Sequence, residues 1–265
     1  MMKQWLWILL LAGVIYVACD NPSKSTDLPP GKVRMVPKTA DTLLAEERGI
    51  DALPGLLNVL QIQWYRLPED DIKRYELYVS EEVQRNYALE FELDVDKVNN
   101  NQDFTYNSID SIYTFLYNIS TNSHQLEQPL YFFIRARDEL DQQSENSDTV
   151  TYTLTSPIEG VGFQFFGEDT VLTWIWNGQA PNDIILRIER EILPSQWTPL
   201  LAKKLSADNA IFNRGDYFAD PKLYLEDIKN EFGIISGTGK YRFRIDKYYG
   251  MDRGSESRWV DIFIN

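Results

Sequence analysis

Short segments in which apolar and polar residues alternate recur along most of this chain, and no other feature constrains the fold as strongly. The alternating segments are residues 60–64, 75–79, 111–117, 130–136 and 149–154. A period of two puts successive side chains on opposite faces of a strand, so each segment predicts a strand with one buried face. Turn-forming residues separate the segments, and no long helical pattern intervenes. We therefore predict an all-β fold built from antiparallel sheets.

The same order of segments occurs twice. Residues 172–176 repeat the pattern of residues 60–64 roughly 110 residues later, which aligns Trp176 with Trp64. We expect these two tryptophans to be buried equivalents. A repeat of this length indicates duplicated domains rather than a solenoid, and a proline interrupts strand pairing between the copies. We therefore place one domain at residues 31–155 and a second at residues 156–265.

Particular residues in both copies resemble the fibronectin type III module. That family places a tryptophan at the end of its second strand, which fits Trp64 and Trp176, and begins its alternating sixth strand with a tyrosine, which fits Tyr241. The first copy also has the Ala-x-Asp ending of that strand at residues 136–138. The second copy departs from the family at Lys247, where a small apolar residue is expected. The resemblance implies two tandem immunoglobulin-like β-sandwiches, a fold that usually serves as a spacer or binding platform in exported bacterial proteins.

The second copy contains an additional segment between its middle strands. Asp220 and Pro221 are followed by Tyr224, Ile228 and Phe232 at four-residue spacing, and then by a glycine. A capping residue, a first-turn proline and a terminal glycine are typical of a helix. We predict a short helical insertion here, packed on the flank of the second sandwich.

The single cysteine, Cys19, ends an apolar run that begins at Trp5. One positive charge, Lys3, precedes the run, and the small residue Ala18 stands just before the cysteine. The run suits a secretory signal peptide and is short of the roughly 20 residues that a membrane-spanning helix needs. These features resemble a bacterial lipoprotein precursor, although Tyr16 stands where that family prefers leucine. A buried free thiol, an uncleaved anchor and a plain signal peptide with an incidental cysteine are the alternatives.

The lipoprotein resemblance implies a signal peptide at residues 1–18 and an acylated Cys19. It places the exported chain on a bacterial membrane, with the outer membrane or cell surface favoured over the inner membrane. Residues 19–30 are polar and rich in proline, which predicts a flexible tether. The expected partners are the lipid bilayer and an envelope protein or glycan. Nucleic acid is not expected, because a net charge of −14 repels phosphate backbones.

The residue inventory excludes most catalytic chemistries. The chain has one histidine, His124, and no cysteine beyond Cys19. Cys–His dyads and zinc sites rich in these residues are therefore excluded, and a Ser–His–Asp triad would have to use His124. His124 follows turn-forming polar residues, which predicts a solvated loop position. We expect no enzyme activity, no metal and no cofactor.

Acidic residues alone could still support catalysis. The candidates are residues 69–71, which are typical of a loop, and the pair Asp94 and Asp96, which would share one face of a strand. Neither cluster has the spacing of a known calcium loop. Two carboxylates in a common cleft are sufficient for a glycosidase. A carboxylate-only glycoside-active enzyme, or a carbohydrate-binding accessory module, is therefore the alternative to a non-catalytic binding or spacer module.

Aromatic residues in the second copy are candidate ligand contacts. Trp197 lies between two prolines in a segment that predicts a loop tip, and Tyr248 and Tyr249 are adjacent. Together with Trp259 they could form a stacking surface for sugar rings, and core packing is the alternative. The triplet Arg214-Gly215-Asp216 spells an integrin-binding motif, but it lies in the additional segment, outside the loop that displays this motif in fibronectin type III modules.

Overall fold

The computed structural model describes residues 28–100, 102–212 and 216–265. The signal peptide 1–18, Cys19 and all of the tether before residue 28 lie outside these residues. Within them, no helix is both long enough and apolar enough to span a bilayer. Strands form most of the regular structure, and the predicted all-β fold class is confirmed.

The first half of the chain forms a sandwich of two antiparallel sheets. One sheet has the order β1-β2-β6-β5, and in the other β3 lies between β4 and β7, with β8 beyond β7. The segment before β1 runs beside β2, where the main-chain amide of Val36 donates to Gln63 O at 3.0 Å. The strands are β1 (Asp51–Ala52), β2 (Val59–Tyr65), β3 (Ile72–Ser80), β4 (Ala88–Asp94), β5 (Phe104–Asn107), β6 (Ile112–Asn118), β7 (Pro129–Asp138) and β8 (Val150–Leu154).

The second half repeats this immunoglobulin-like arrangement. One sheet has the order β13-β10-β9, and in the other β11 lies between β12 and β14, with β15 and β16 both paired to β14. The elements are β9 (Ile158–Phe166), β10 (Asp169–Trp176), β11 (Asp183–Leu193), β12 (Gln196–Ser206), β13 (Lys222–Tyr224), α1 (Leu225–Phe232), β14 (Gly239–Tyr248), β15 (Arg253–Glu256) and β16 (Val260–Ile264). Short 3-10 turns lie at Val95–Lys97, Ile119–Asn122 and Ala210–Phe212.

One sheet continues from the first half into the second. Strand β8 pairs in parallel with β15, with Thr153 opposite Arg253 and Leu154 opposite Gly254, so the sheet runs from β4 to β12. Two duplicated, separate sandwiches would not share a sheet, so this pairing contradicts the expectation of two independent copies. Buried apolar residues nevertheless form two separate clusters, one within residues 33–154 and one within residues 158–264. The domain bounds 31–155 and 156–265 stay a prediction, but the two halves are joined by main-chain pairing.

The expected equivalence of Trp64 and Trp176 is only partly correct. Trp64 is fully buried in the first core, whereas Trp176 is half-buried at the end of β10. The buried tryptophan of the second core is Trp174, whose indole packs edge-on against that of Trp176 with ring centroids 5.5 Å apart. The register of β10 shifts between Thr173 and Ile175, and the four residues from Val171 to Trp174 are all buried rather than alternating. Trp176 lies beyond this shift and donates its indole N–H to Tyr217 O at 2.8 Å.

The helical insertion is present, but it begins later than the sequence pattern indicates. Helix α1 starts at Leu225 because the preceding residues form β13, which pairs with β10. It ends where expected, at Gly233, whose φ of 62° is the left-handed conformation that favours glycine at this position. Ile228 is fully buried against the second core. The helix therefore completes the flank of the sandwich.

Candidate functional site

The joint between the two halves is tight at the level of the main chain. Thr153 N donates to Asp252 O at 2.8 Å, and Thr155 N donates to Gly254 O at 2.9 Å. A Cβ atom on Gly254 would lie 2.6 Å from Lys247 O and 3.4 Å from the hydroxyl of Tyr152. Only glycine fits this approach of β15 to β14 and β8 without a backbone shift.

Ionisable side chains surround this joint and form what we call the junction cluster. They come from the segment before β1, from β1 itself, and from three strands of the second half, so they connect parts of the chain that are far apart in sequence. All of their charged side chains are mostly or fully buried. The members are Lys38, Asp41, Glu47, Asp51, Arg187, Arg244, Asp246 and Glu256.

Glu47 of the first half binds two arginines of the second half. Arg244 Nη2 donates to both Glu47 oxygens, at 2.8 and 2.9 Å, and Arg187 Nη2 contacts the same carboxylate. Asp246 also contacts both guanidinium groups: Oδ1 lies 2.8 Å from Arg244 Nε, and Oδ2 lies 3.2 Å from Arg187 Nε. Burial alone would raise the pKa of Glu47, but Arg244 and Arg187 outweigh it and hold that pKa below its usual value. Glu47 is therefore held as a carboxylate.

Lys38 and Asp51 form a second buried pair in the junction cluster. Lys38 Nζ lies 2.5 Å from Asp51 Oδ1 and 3.2 Å from Asp41 Oδ1. The hydroxyl of Tyr152 in β8 also donates to Asp51 Oδ1, at 3.1 Å. Burial raises the pKa of Asp51 to about 6, against the opposing attraction of Lys38. The same burial raises the pKa of Tyr152 well above its ordinary value.

Two groups of three carboxylates in the junction cluster come close enough to hold a metal ion. They are Asp41, Glu47 and Asp51, and Glu47, Asp246 and Glu256. Each group already holds a basic side chain: Lys38 Nζ lies between two carboxylates of the first, and the Arg244 guanidinium contacts all three of the second. A divalent cation would have to displace these buried positive charges. The geometry therefore fits ion pairing better than metal binding.

A ladder of alternating aromatic and cationic side chains lies beside the junction cluster. The Arg242 guanidinium carbon lies 4.4 Å from the ring centroid of Trp197 and 4.5 Å from that of Trp259, and Arg244 lies 5.1 Å from Trp259. These distances are in the range of cation–π attraction. Glu189 accepts from Arg242 Nε at 2.6 Å. The ladder borders a cavity of about 290 Å³, which Glu47 and Arg187 also line.

The predicted loop-tip position of Trp197 is wrong. Trp197 is the second residue of β12, where it pairs with Glu191 across the β11–β12 hairpin, and its ring is half-buried under Arg242 and Lys240. The turn is formed instead by the residues just before β12, with Ser195 at a φ of 63°. Trp197 is therefore one ring of the ladder, and the cations packed on that ring restrict access to its face.

Tyr248 and Tyr249 lie at the other end of the same sheet. In β11, Asp183 pairs with Tyr248 whereas Glu191 pairs with Trp197, so about 25 Å of strand separates the two sites. The proposed common stacking surface is therefore split into two. Both tyrosines are half-buried and line a depression of about 380 Å³, where the Tyr249 hydroxyl donates to Gln179 O at 3.2 Å.

Lys247, which departs from the family pattern, is almost completely buried beside this depression. Its ammonium group donates to Asn177 O at 2.9 Å and lies 5.8 Å from the ring centroid of Trp176. Burial lowers the pKa of Lys247 to about 8, although the charge of Glu127 opposes the shift. The departure is accommodated by a main-chain carbonyl rather than by a carboxylate in contact with the amine.

His124 is not the solvated loop histidine that the sequence predicts. It follows a 3-10 turn, but its Nδ1 lies 2.8 Å from Glu81 Oε1 and its Nε2 lies 2.7 Å from Glu90 Oε1. Glu90 also accepts a hydrogen bond from the Tyr117 hydroxyl. Burial lowers the pKa of His124, but the hydrogen bonds to both glutamates outweigh burial and raise that pKa above 6.5.

The remaining candidates have separate positions. Residues 69–71 lie in the loop between β2 and β3, as expected, but Asp96 lies in a 3-10 turn after Asp94 ends β4, so the two do not share a strand face. Arg214 and Gly215 of the Arg-Gly-Asp triplet lie outside the described residues. Asp216 accepts from the main-chain amides of Phe218 and Ala219.

The junction cluster could not be identified from the sequence alone. One signal was present: Arg187 is a single charge within the otherwise apolar run 184–188. Such a residue is rarely buried without a partner. The partner Glu47, however, lies in a segment without periodicity, so nothing in the sequence connected the two.

No protein-family model and no curated protein matches this chain. Among solved structures, the FN1-FN3 domains of chicken CNTN1 match with a TM-score of 0.36 and 10% identity over 89% of this chain and 68% of that one. A two-domain fibronectin type III segment of chicken tenascin matches with a TM-score of 0.28 and 12% identity, covering 82% and 97%. The Clostridium perfringens spore cortex lytic enzyme SleM matches with a TM-score of 0.29 and 18% identity, covering 49% and 30%. Because these TM-scores are low, the strand topology itself carries the fold assignment.

Proposed function

We propose that this chain is a lipid-anchored, non-catalytic envelope protein whose two sandwiches act together as one stiff binding or spacer arm. The observation that carries the proposal is the joint between the halves. Contacts between domains of one chain usually permit relative motion. Here main-chain pairing of β8 with β15 and the buried junction cluster both oppose such motion.

The anchoring part of the proposal rests on the sequence around Cys19. An acylated cysteine after a cleaved signal peptide would hold the chain at the outer membrane or cell surface, and stable anchoring would require more than one acyl chain. The polar segment before residue 31 would separate the sandwiches from the bilayer. The binding partner would be an envelope protein or a glycan.

The ligand-contact residues of this proposal fall into two surfaces. Tyr248 and Tyr249 border an open depression, whereas Trp197 is covered in part by Arg242 and Lys240. The tyrosine depression is therefore the better surface for a sugar ring or a peptide side chain. Replacing both tyrosines with alanine should reduce binding more than replacing Trp197.

A carboxylate-only enzyme is less well supported. Glu47 and Glu189 line the cavity beside the ladder, but arginine side chains bind both. A general acid needs a raised pKa, whereas the pKa of Glu47 is lowered. A screen of the purified chain against chromogenic glycosides and esters should read at background. Turnover that Glu47→Gln or Glu189→Gln abolishes would overturn the non-catalytic proposal.

Fractionation and lipid labelling test the anchor. Cys19→Ser should abolish palmitate incorporation and leave the protein soluble or as an unprocessed precursor. Asp20→Asn keeps the cysteine and should remain labelled and membrane-bound. A Cys19→Ser protein that stays as firmly in the membrane as the parent would contradict the lipoprotein assignment.

A further inference from the structure

The junction cluster contains more acidic than basic groups. Five carboxylates face three cations, so full ionisation would leave two uncompensated negative charges in a buried region. Uncompensated buried charge is costly, and a carboxylate can avoid the cost by keeping its proton. The carboxylates with the fewest cationic contacts are therefore the ones expected to keep a proton.

Within the junction cluster, buried oxygens without a hydrogen-bond partner among the described residues occur on Asp51, Asp246 and Glu256, and the cations around each carboxylate separate Asp246 from the other two. Asp246 Oδ1 lies 2.8 Å from Arg244 Nε, and Asp246 Oδ2 accepts from both arginines. Glu47 and Asp246 each contact both arginines. Glu256 has one charged contact, from Arg244 Nη2 to Oε1 at 3.3 Å, and its Oε2 has no hydrogen-bond partner among the described residues although the side chain is only 6% exposed. Asp51 is similar, because all of its contacts reach Oδ1, while Oδ2 is buried and lacks a partner within the described residues.

The groups that face these two carboxylates come from both halves. Lys38, Asp41 and Glu47 of the segment before β1 and Tyr152 of β8 surround Asp51, and Glu256 of β15 also faces it. Glu256 is faced by Arg244 and Asp246 of β14, and by Glu47 and Asp51 across the joint. Protonation of either residue therefore changes the charge balance between the two sandwiches.

We propose that Asp51 and Glu256 keep their protons at mildly acidic pH and that the joint between the sandwiches is proton-linked, loosening as these protons are lost at higher pH. The proposal concerns the stiffness of the joint and does not depend on lipid anchoring. It adds a regulatory property to the stiff arm, and it is tested by measurements that Cys19 does not affect.

The direction of the pH dependence follows from burial. Burial raises the pKa of Asp51 to about 6 and the pKa of Glu256 well above its usual range. An unfolded aspartate or glutamate titrates near pH 4, so above that pH the folded chain binds protons that the unfolded chain has lost. Folded stability should therefore fall as pH rises from about 4, through about 6 for Asp51 and through the raised pKa of Glu256.

Urea unfolding of the full chain in detergent solution between pH 5 and pH 7.5 tests the linkage, below the range in which the lowered pKa of Lys247 adds an opposing slope. Each retained proton should lower the folded-to-unfolded ratio by up to about tenfold for each pH unit of increase. His124 titrates in the same direction, so His124→Gln is the background for every sample. Asp51→Asn should flatten the dependence near pH 6, and Glu256→Gln should reduce the slope over the range in which that carboxyl group titrates. Asp148→Asn is the control, because that side chain is 87% exposed.

Two measurements on the unaltered side chains keep the proposal testable if a variant does not fold. Infrared spectroscopy near pH 5.5 should show the carbonyl band of protonated carboxyl groups, which should fade as the pH rises through 6 and beyond. Exchange of the Thr155 amide, corrected for its intrinsic pH dependence, should become faster from pH 6 to pH 8. Absence of the acid band, or stability and exchange protection that stay constant or rise with pH, would overturn the proposal.

Discussion

The sandwich interiors and the junction cluster are both buried, but opposite interactions hold them. Each interior consists of apolar and aromatic side chains from alternating strand positions, such as Leu60, Ile62 and Trp64 of β2. The junction cluster consists of charged side chains, among them Arg244 at 2% exposure. Apolar burial stabilises almost any well-packed arrangement, whereas buried charges are tolerated only with their partners in place. The interiors therefore tolerate repacking, while the junction requires one relative position of the two halves.

The largest effect is expected from the interior of the first sandwich. Replacing Trp64 with alanine removes a ring that packs against Tyr75, Phe104 and Tyr113, and should lower the free energy of unfolding by about 3 to 5 kcal/mol. Urea unfolding followed by fluorescence measures this. Trp176→Ala is the matched comparison and should cost less, since Trp176 is only half-buried. Equal costs for the two variants would restore the equivalence that the sequence repeat predicted.

This contrast explains which features could be predicted from the sequence. Alternation predicted β2, β3 and β7 because burial of one strand face leaves a period of two in the residues themselves. It misplaced Trp176, because the register irregularity in β10 leaves no mark in a hydrophobic pattern. It also could not predict the junction cluster, since pairing Glu47 with Arg244 depends on how the two halves are oriented.

Breaking the junction cluster should have the next largest effect. Arg244→Met keeps side-chain volume but removes the cation that Glu47, Asp246 and Glu256 share. The variant leaves Glu256 without a charged contact and Glu47 and Asp246 with Arg187 alone, which should cost about 3 kcal/mol. Arg253→Met is the control across the same joint, because its pair with Glu127 is solvent-exposed and should contribute less than about 1 kcal/mol. Similar costs for the two arginine variants would contradict the importance assigned to burial.

A steric change at the joint should have a smaller effect. The Cβ of Gly254→Ala would lie 2.6 Å from Lys247 O, so β15 must shift away from β14, at a cost of about 1 to 3 kcal/mol. Gly162→Ala in β9 is the control, since its Cβ would meet only Gly160 O at 3.9 Å. Calorimetry of both variants measures the difference. If Gly254→Ala were as stable as the parent, the joint would be looser than the main-chain hydrogen bonds indicate.

The smallest effect is expected at His124, which belongs to a charged cluster within the first half. This cluster tests whether ionic contacts away from the junction behave like those within it. Hydrogen bonds to Glu81 and Glu90 raise its folded pKa above 6.5, so its contribution to stability is complete below 6.5 and is lost as pH rises through the folded value. Titration of the imidazole by NMR should give a midpoint above 6.5. Glu90→Gln should lower that midpoint more than Glu81→Gln, because Glu90 is the more buried of the two carboxylates. A midpoint at or below 6.5 in the parent would show that burial outweighs the two glutamates at this site, in contrast to the arginine-bound Glu47 of the junction.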